Sequence, residues 1–151
     1  MKENYKIKVK VNSEKPDFRV LAAYFFGDDF HDYDSEGNSN PLTSKNWTYL
    51  YMCSRQNKEL CFEILDINDN PLIFEVSSEN IETVNIIAYF LARETNGEIV
   101  DEDNNIIPNE NLVKKMGNFN LTERLKSADN SIWRTQEEDE KNRVFTCIRV
   151  L

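Results

Sequence analysis

The sequence contains little glycine, proline and histidine. Its 151 residues include four glycines, four prolines and one histidine. So few glycines and prolines exclude a collagen-like or low-complexity chain, and the lack of any apolar run of about 18 residues excludes a membrane-spanning helix. One histidine excludes a metal site built from two imidazoles of the same chain. Any Ser-His-Asp or Cys-His arrangement would have to use His31.

Several sequence motifs that would indicate a chemistry are also missing. None of the patterns G-x-G-x-x-G, G-x-x-x-x-G-K-[ST] and G-x-S-x-G occurs, so a nucleotide-binding loop or a hydrolase nucleophile elbow has no support. Cys53, Cys61 and Cys147 show no C-x-x-C spacing that would indicate a zinc knuckle. We expect buried, reduced thiols. The alternative is a disulfide between Cys53 and Cys61, which lie on neighbouring predicted strands.

Positive charge is in deficit. The chain carries 18 Lys and Arg against 27 Asp and Glu, a formal net charge of −9. This balance disfavours nucleic acids and acidic membranes as partners, because both are bound through Lys and Arg, and it favours a basic protein partner. The alternative is an acidic surface that only keeps the chain soluble. The first residues lack the apolar stretch of a secretory signal, so we expect a cytoplasmic protein.

The hydrophobic pattern predicts a single α+β domain across residues 1–151, with a mainly antiparallel sheet and helices packed on it. Alternation over residues 5–11 predicts a half-buried strand with three lysines on its other face. The spacing of apolar residues over 16–26 favours a helix, with a buried strand over residues 20–26 as the alternative. Residues 28–46 are polar and predict a long loop.

Three strand-like runs, at residues 47–54, 59–67 and 71–77, predict an antiparallel meander. A turn over residues 68–70 would fix the register of the second pair. The residue pairs then expected to face each other are Phe62 with Val76, Ile64 with Phe74, and Glu63 with Glu75. The predicted core face holds Leu60, Phe62, Ile64, Leu72, Phe74 and Val76.

The clearest helix is predicted over residues 79–96, with Ser78 or Asn80 as its cap and Asn96-Gly97 at its end. Its predicted core stripe is Ile81, Val84, Ala88, Leu91 and Ala92, widened by Ile87, Tyr89 and Phe90. The remaining predicted elements are short strands at 98–100 and 106–107, helices over 109–116 and 120–128, a charged loop over 137–141 and a buried final strand over 144–151.

The acidic loop contains the one motif-like spacing. Residues 32–37 read Asp-Tyr-Asp-Ser-Glu-Gly, the first half of an EF-hand loop, in which alternating oxygen atoms can turn toward a hard cation. The second half does not fit, because Ser39 and Thr43 stand where an aliphatic residue and a bidentate glutamate are needed. We therefore expect no bound metal or other cofactor. A solvated loop and a partner-binding loop remain as alternatives, and neighbouring carboxylates favour a charged His31.

Three aromatic residues, Trp47, Tyr49 and Tyr51, alternate along the first strand of the meander. If the intervening Leu50 and Met52 face the core, the rings lie on the opposite face, where Glu63 and Glu75 are also expected. Aromatic rings flanked by acids are typical of a hot spot for a basic partner. The alternative is that a helix covers this face. Opposed glutamates would be too close for the carboxylate pair of a glycosidase, so we expect two surface acids.

The segment from the meander through residues 81–95 to Asn96-Gly97-Glu98-Ile99-Val100-Asp101-Glu102-Asp103 resembles the small acidic immunity proteins of bacterial toxin–immunity pairs. In several such families a helix also runs into an N-G-x-I-x-D-x-D stretch behind an antiparallel sheet. The resemblance implies a non-catalytic protein that covers a toxin, often a basic nuclease, in the cytoplasm of the producing cell. It transfers no binding residues to this sequence.

The favoured function is therefore an inhibitory binding protein that is not an enzyme and neutralises a basic partner by electrostatic capture and steric occlusion. The predicted contact residues are Asp28, Asp29, Asp32, Asp34, Glu36, Trp47, Tyr49, Tyr51, Glu63 and Glu75. One alternative is a phage-type DNA mimic that inhibits a host defence nuclease, for which a continuous acidic strip is expected. Others are a small divalent-metal-dependent enzyme using the acidic loop and an accessory subunit. The sequence indicates no oligomeric state.

Overall fold

The computed structural model describes residues 4–28, 32–38, 45–57 and 59–135. Within these ranges, seven strands form one sheet and five helices accompany it, which confirms the α+β class. The strands are β1 (Tyr5–Lys10), β2 (Tyr33–Gly37), β3 (Tyr49–Ser54), β4 (Cys61–Asp69), β5 (Leu72–Ser78), β6 (Glu98–Val100) and β7 (Ile106–Ile107). The helices are α1 (Phe18–Phe26), α2 (Ile81–Thr95), α3 (Asn109–Val113), α4 (Leu121–Asp129) and α5 (Ile132–Thr135).

The strand order in the sheet is β2-β3-β4-β5-β1-β6-β7, and every neighbouring pair is antiparallel. The predicted meander is therefore present as β3, β4 and β5, and β1 lies between β5 and β6. Helix α2 packs on the central strands, and α1, α3, α4 and α5 extend this helical layer. We call the sheet face toward the helices the inner face and the opposite one the outer face. Leu50, Met52, Phe62, Ile64, Phe74 and Val76 are buried on the inner face.

Helix α1 forms where the helical spacing predicts it, and the alternative strand is wrong. The Asp17 side chain accepts a hydrogen bond from the Arg19 amide at 3.0 Å, which caps the first turn. Gly27, at φ 99°, ends the helix in the left-handed conformation that glycine adopts without strain. Every residue of α1 is buried.

Helix α2 is capped by Asn80, whose side-chain oxygen accepts from the amides of Glu82 and Thr83. Its predicted stripe is buried except for Ile81, which is 49% exposed and was wrongly placed in the core. Helical side chains point toward the N-terminus, so the side chain of the first residue projects past the end of the helix. The predicted β6, β7, α3 and α4 are present, with Asn120 capping α4. Helix α5 was not predicted.

The prediction of a loop over residues 28–46 is wrong at Tyr33–Gly37, which forms the edge strand β2 beside β3. The Tyr33 ring stacks on Phe26, with ring centroids 5.3 Å apart, and so anchors the strand to the core. On the outer face, the Arg55 guanidinium contacts Asp32 at 2.9 Å and Asp34 at 2.7 Å. This acid-rich segment can pair with β3 because Arg55 neutralises two of its carboxylates. Residues 29–31 and 39–44 lie outside the described residues.

The register between β4 and β5 is shifted by two residues from the expected one. Ile64 lies opposite Val76, and the ladder shifts again at a bulge between Asp66 and Asn68. The predicted core face is nevertheless correct, because a shift of two residues keeps each side chain on its face. The expected pairing of Glu63 with Glu75 is wrong, since these acids lie opposite Ser77 and Leu65.

The cysteines also depart from the main expectation. Cys53 and Cys61 lie directly opposite each other on β3 and β4 and form a disulfide, so the expectation of reduced thiols is wrong for this pair. Cys147, the predicted charged loop over residues 137–141 and the predicted strand over 144–151 lie outside the described residues. No helix in the described part of the chain is long and apolar enough to cross a membrane.

Candidate functional site

The outer face of the sheet displays two adjacent rows of side chains. Strand registers place Glu36, Tyr51, Glu63, Ser77 and Lys6 side by side across five strands. The next row contains Tyr49, Leu65, Glu75, Lys8 and Val100. Since the described helices pack on the inner face, these rows form a surface that no described helix covers. The expectation that Tyr49 and Tyr51 share a face with Glu63 and Glu75 is confirmed.

Tyr49 and Tyr51 are half-buried, with carboxylates on both sides. The Tyr49 hydroxyl donates to Glu63 Oε2 at 3.4 Å. Desolvation, together with the negative charges of Glu63 and Glu36, raises the pKa of the Tyr49 phenol. The phenol therefore stays neutral at physiological pH and can donate a hydrogen bond to a ligand. Among the described residues, neither Glu36 nor Glu63 forms an ion pair.

The outer edge of this surface is less negative than the sequence suggests. The hydrogen bond and charge of Asp34, with the charge of Asp32, raise the pKa of Arg55, and Arg55 in turn neutralises both acids. The carboxylates of Asp32 and Asp34 are therefore already paired with a cation of the same chain, Arg55. Asp34 binds Arg55 from β2 and Asp32 from the residue before it, so the described first half of the EF-hand-like spacing, Asp32 to Gly37, forms an edge strand with a neighbouring cation. The described residues contain no cluster of three or more potential metal ligands.

At the other end of the rows the charge is positive. Lys6, Lys8 and Lys10 of β1 share the outer face, and Lys6 Nζ lies 3.7 Å from Glu75 Oε1. We therefore divide the outer face into an acidic half and a lysine column. The acidic half consists of Asp32, Asp34, Glu36, Tyr49, Tyr51 and Glu63 on and beside β2, β3 and β4. The lysine column is Lys6, Lys8 and Lys10.

Trp47 was expected beside Tyr49 and Tyr51, and this prediction is wrong. Trp47 is 1% exposed, its ring centroid lies 6.0 Å from that of Phe74, and its indole nitrogen donates to the Pro16 carbonyl at 3.0 Å. Strand β3 begins only at Tyr49, so the alternation of faces does not extend back to Trp47. The indole instead packs into the core.

The remaining predicted contacts are not part of the acidic half. Asp28 follows α1 and exerts its charge on Arg124 of α4, so it belongs to the helical layer. Glu75 lies opposite Lys8 at the boundary with the lysine column. Asp29 and His31 lie outside the described residues. The structure thus brings together five of the predicted acids and tyrosines at one surface, together with Asp32 at its edge.

A cavity of about 310 Å³ opens beside Tyr51 and Glu63. Its lining residues are Asn4, Tyr51, Glu59, Cys61, Phe62, Glu63, Ser77, Ser78 and Glu79. Three of them are glutamates, and no described Lys or Arg lines it. Ser77 is only 7% exposed. Sequence reasoning missed Glu59, Ser77 and Glu79, because only the observed β4–β5 register places Ser77 beside Glu63.

Comparison with models of known protein families gives no match, and searches of curated proteins and of solved structures likewise return no similar protein. The function is therefore inferred from the geometry and charge of the outer face.

Proposed function

We propose that this chain is a non-catalytic, cytoplasmic binding protein that inhibits a basic protein partner, most directly a toxin in the manner of an immunity protein. The observation that carries this proposal is the acidic half of the outer face, where two half-buried tyrosines stand among carboxylates on a surface free of the described helices. Tyrosine supplies a large, rigid contact area and a polar hydroxyl, and it is enriched among interface hot spots.

Capture begins with long-range attraction. A net charge of −9 attracts a basic molecule and raises the encounter rate. Glu36 and Glu63 guide its cationic side chains, because no described partner neutralises them. The tyrosine rings then pack against the partner and lose their remaining contact with water. Inhibition follows by occlusion, since the sheet covers the basic surface with which a nuclease would otherwise bind phosphates.

The lysine column favours a local patch over a DNA mimic. A mimic of duplex DNA needs negative charge that continues along the surface, because DNA carries a charge about every 1.7 Å along its axis. On this sheet the acids give way to Lys6, Lys8 and Lys10 on β1. The acidic surface is therefore suited to one basic patch of a protein.

Co-expression with the product of the adjacent gene tests the proposal. We expect that product to arrest growth and the wild-type chain to relieve the arrest by forming a complex. The double variant Glu36→Lys/Glu63→Lys should lose at least tenfold in affinity and fail to relieve the arrest, because it reverses two charges at the surface centre.

The matched control is Glu102→Lys/Glu110→Lys, which makes the same charge change at exposed acids near β7 and on α3. It should bind within about twofold of wild type, and thermal melts should show that both double variants fold. Equal affinities for the two double variants, or a neighbouring product that neither arrests growth nor binds, would contradict the proposal.

A further inference from the structure

We propose that the outer face of the sheet binds the outer face of a second copy of this chain. The acidic half and the lysine column lie side by side on this face, on opposite sides of β5. Two copies turned face to face therefore each offer the charge that the other lacks, and one symmetric contact satisfies both halves. The inference goes beyond the proposed function, because it depends only on the side chains of this chain.

The strand order places the two-fold axis. Strand β5 is the central strand, with β2, β3 and β4 on one side and β1, β6 and β7 on the other. A two-fold axis that runs along β5, between the two sheets, lays β4 of one copy over β1 of the other and β3 over β6. Packed sheets lie about 10 Å apart with their strands within about 30° of each other, a distance that side chains fill.

This arrangement brings opposite charges together. Glu63 and Lys6 belong to the same row, so Glu63 of one copy faces Lys6 of the other, and the symmetry repeats the contact. Among the described residues Glu63 has no ion pair, and Lys6 pairs only with Glu75, at 3.7 Å. The two copies of Glu75 meet near the axis, where each keeps its own Lys6 as counter-ion. Each Lys6 then lies between a glutamate of either copy.

The second row supplies apolar contact. Leu65 is 39% exposed although it lies on β4, well inside the sheet. The same axis brings Leu65 over the aliphatic stem of Lys8 and Tyr49 over Val100, because these four residues share one row. Contact removes this apolar surface from water, which stabilises the dimer in addition to the two ion pairs.

The size of the face sets the strength of the contact. Five strands, spaced about 4.8 Å apart and about 20 Å long, present about 480 Å² in each copy. A dimer that buries about 1,000 Å² in total lies at the lower end of specific interfaces, where contacts are weak and reversible. We therefore expect an equilibrium between monomer and dimer. Since the dimer covers the acidic half, a basic partner has to compete with the second copy for this surface.

Sedimentation velocity of the whole chain, over concentrations from about 1 µM to about 500 µM, tests the contact. At about 0.01 M salt we expect the mean mass to rise from that of a monomer toward that of a dimer. At about 0.1 M salt the dimer should dissociate at least threefold more readily, because the ion pairs are screened. A monomer at every concentration would overturn the proposal.

Exchange of the two facing charges tests the arrangement. Glu63→Lys and Lys6→Glu should each weaken self-association at least tenfold, because like charges then meet twice in every dimer. An equimolar mixture of the two variants should dimerise within about threefold of wild type, since opposite charges then meet at both contacts. The matched controls are Glu102→Lys and Lys114→Glu, at exposed positions in the β6–β7 turn and just after α3, and they should leave self-association unchanged.

The outcomes separate this inference from the proposed function. A mixture that stays monomeric, or controls that weaken the dimer as much as the two variants do, would overturn the face-to-face dimer. A monomeric wild-type chain that still binds its basic partner would overturn only the dimer. A dimer that binds no basic partner would support this inference and contradict the proposed function.

Discussion

At the residue scale, Arg19 is a cation that is completely buried. Its side chain is fully buried, with Nε 2.9 Å from Asp17 Oδ1 and Nη2 2.7 Å from Asp17 Oδ2. The guanidinium also lies 4.4 Å from the centroid of the Trp133 ring. Asp17 thus performs two tasks, since it caps α1 and neutralises a charge that burial would otherwise strongly disfavour.

Replacing Asp17 by serine tests this dependence. Asp17→Ser keeps a capping oxygen but removes the counter-ion, and we expect the free energy of unfolding to fall by about 3–5 kcal/mol in urea titrations. The double variant Asp17→Ser/Arg19→Met should recover most of that loss, because no charge then remains to be buried. A single variant within about 1 kcal/mol of wild type would contradict the importance of the pair.

A pH-dependent contribution is expected from Asp101. Its carboxylate accepts from the amides of Asn105 and Asp103, each at 2.9 Å, and these hydrogen bonds lower its pKa. A lowered folded-state pKa stabilises the fold above the unfolded-state pKa of about 3.9, and this stabilisation disappears as pH falls through the folded-state value. The stability advantage of wild type over Asp101→Asn should therefore shrink as the pH falls below about 4. A gap that stays constant or widens would contradict this assignment.

The disulfide between Cys53 and Cys61 can be tested by alkylation of the denatured chain and peptide mapping. A disulfide has no thiolate, so neither cysteine should react before reduction and both should react after it. In Cys53→Ser, Cys61 should react without reduction. Disulfides are rare in the cytosol, so alkylation inside intact cells also tests the proposed location. Protection of both cysteines there would argue for an oxidising compartment.

At the element scale, sequence periodicity predicts most helices and strands but not all of their pairings. The first and last residues of α1, α2 and α4 can be recognised in the sequence because helix capping depends on residues that are close together in the chain. Strand β2 was missed because its acids disfavour a strand until Arg55, which is distant in sequence, neutralises them. The β4–β5 register was missed because a bulge cannot be read from alternation.

The cap of α2 provides a test at this scale. Asn80→Ala removes the side-chain acceptor for the amides of Glu82 and Thr83, and we expect a loss of about 1 kcal/mol in the free energy of unfolding. Asn111→Ala, the same substitution at an exposed position of α3, should change stability by less than about 0.5 kcal/mol. Equal effects of the two substitutions would show that the cap contributes nothing beyond side-chain removal.

At the scale of the whole molecule, the candidate site is only partly predictable from the sequence. Alternation alone places Tyr49, Tyr51 and Glu63 on one face, since that inference needs only the period of a strand. Alternation could not show that Trp47 leaves the strand and enters the core. The cavity at Ser77 depends on which residues three strands bring together, and that information is absent from local patterns.

Association with the proposed basic partner should depend on salt. Raising ionic strength shortens the Debye length from about 30 Å at 0.01 M to about 10 Å at 0.1 M, so attraction by the acidic half weakens. We expect the association rate constant, measured by stopped flow, to fall at least tenfold over this range, with a smaller change in the dissociation rate. For Glu36→Lys/Glu63→Lys the dependence should be much weaker. A salt-independent association rate would contradict electrostatic capture.

The lysine column gives the outer face a polarity with a consequence for selectivity. Negative side chains on β2 to β4 and positive ones on β1 form an electric dipole directed along the sheet. A partner with a basic patch next to an acidic one would meet complementary charge on both halves of the outer face, whereas a uniformly basic molecule, although attracted by the net charge, would meet like charge at β1. Two molecules of equal net charge would therefore be distinguished by the order in which their charges are arranged.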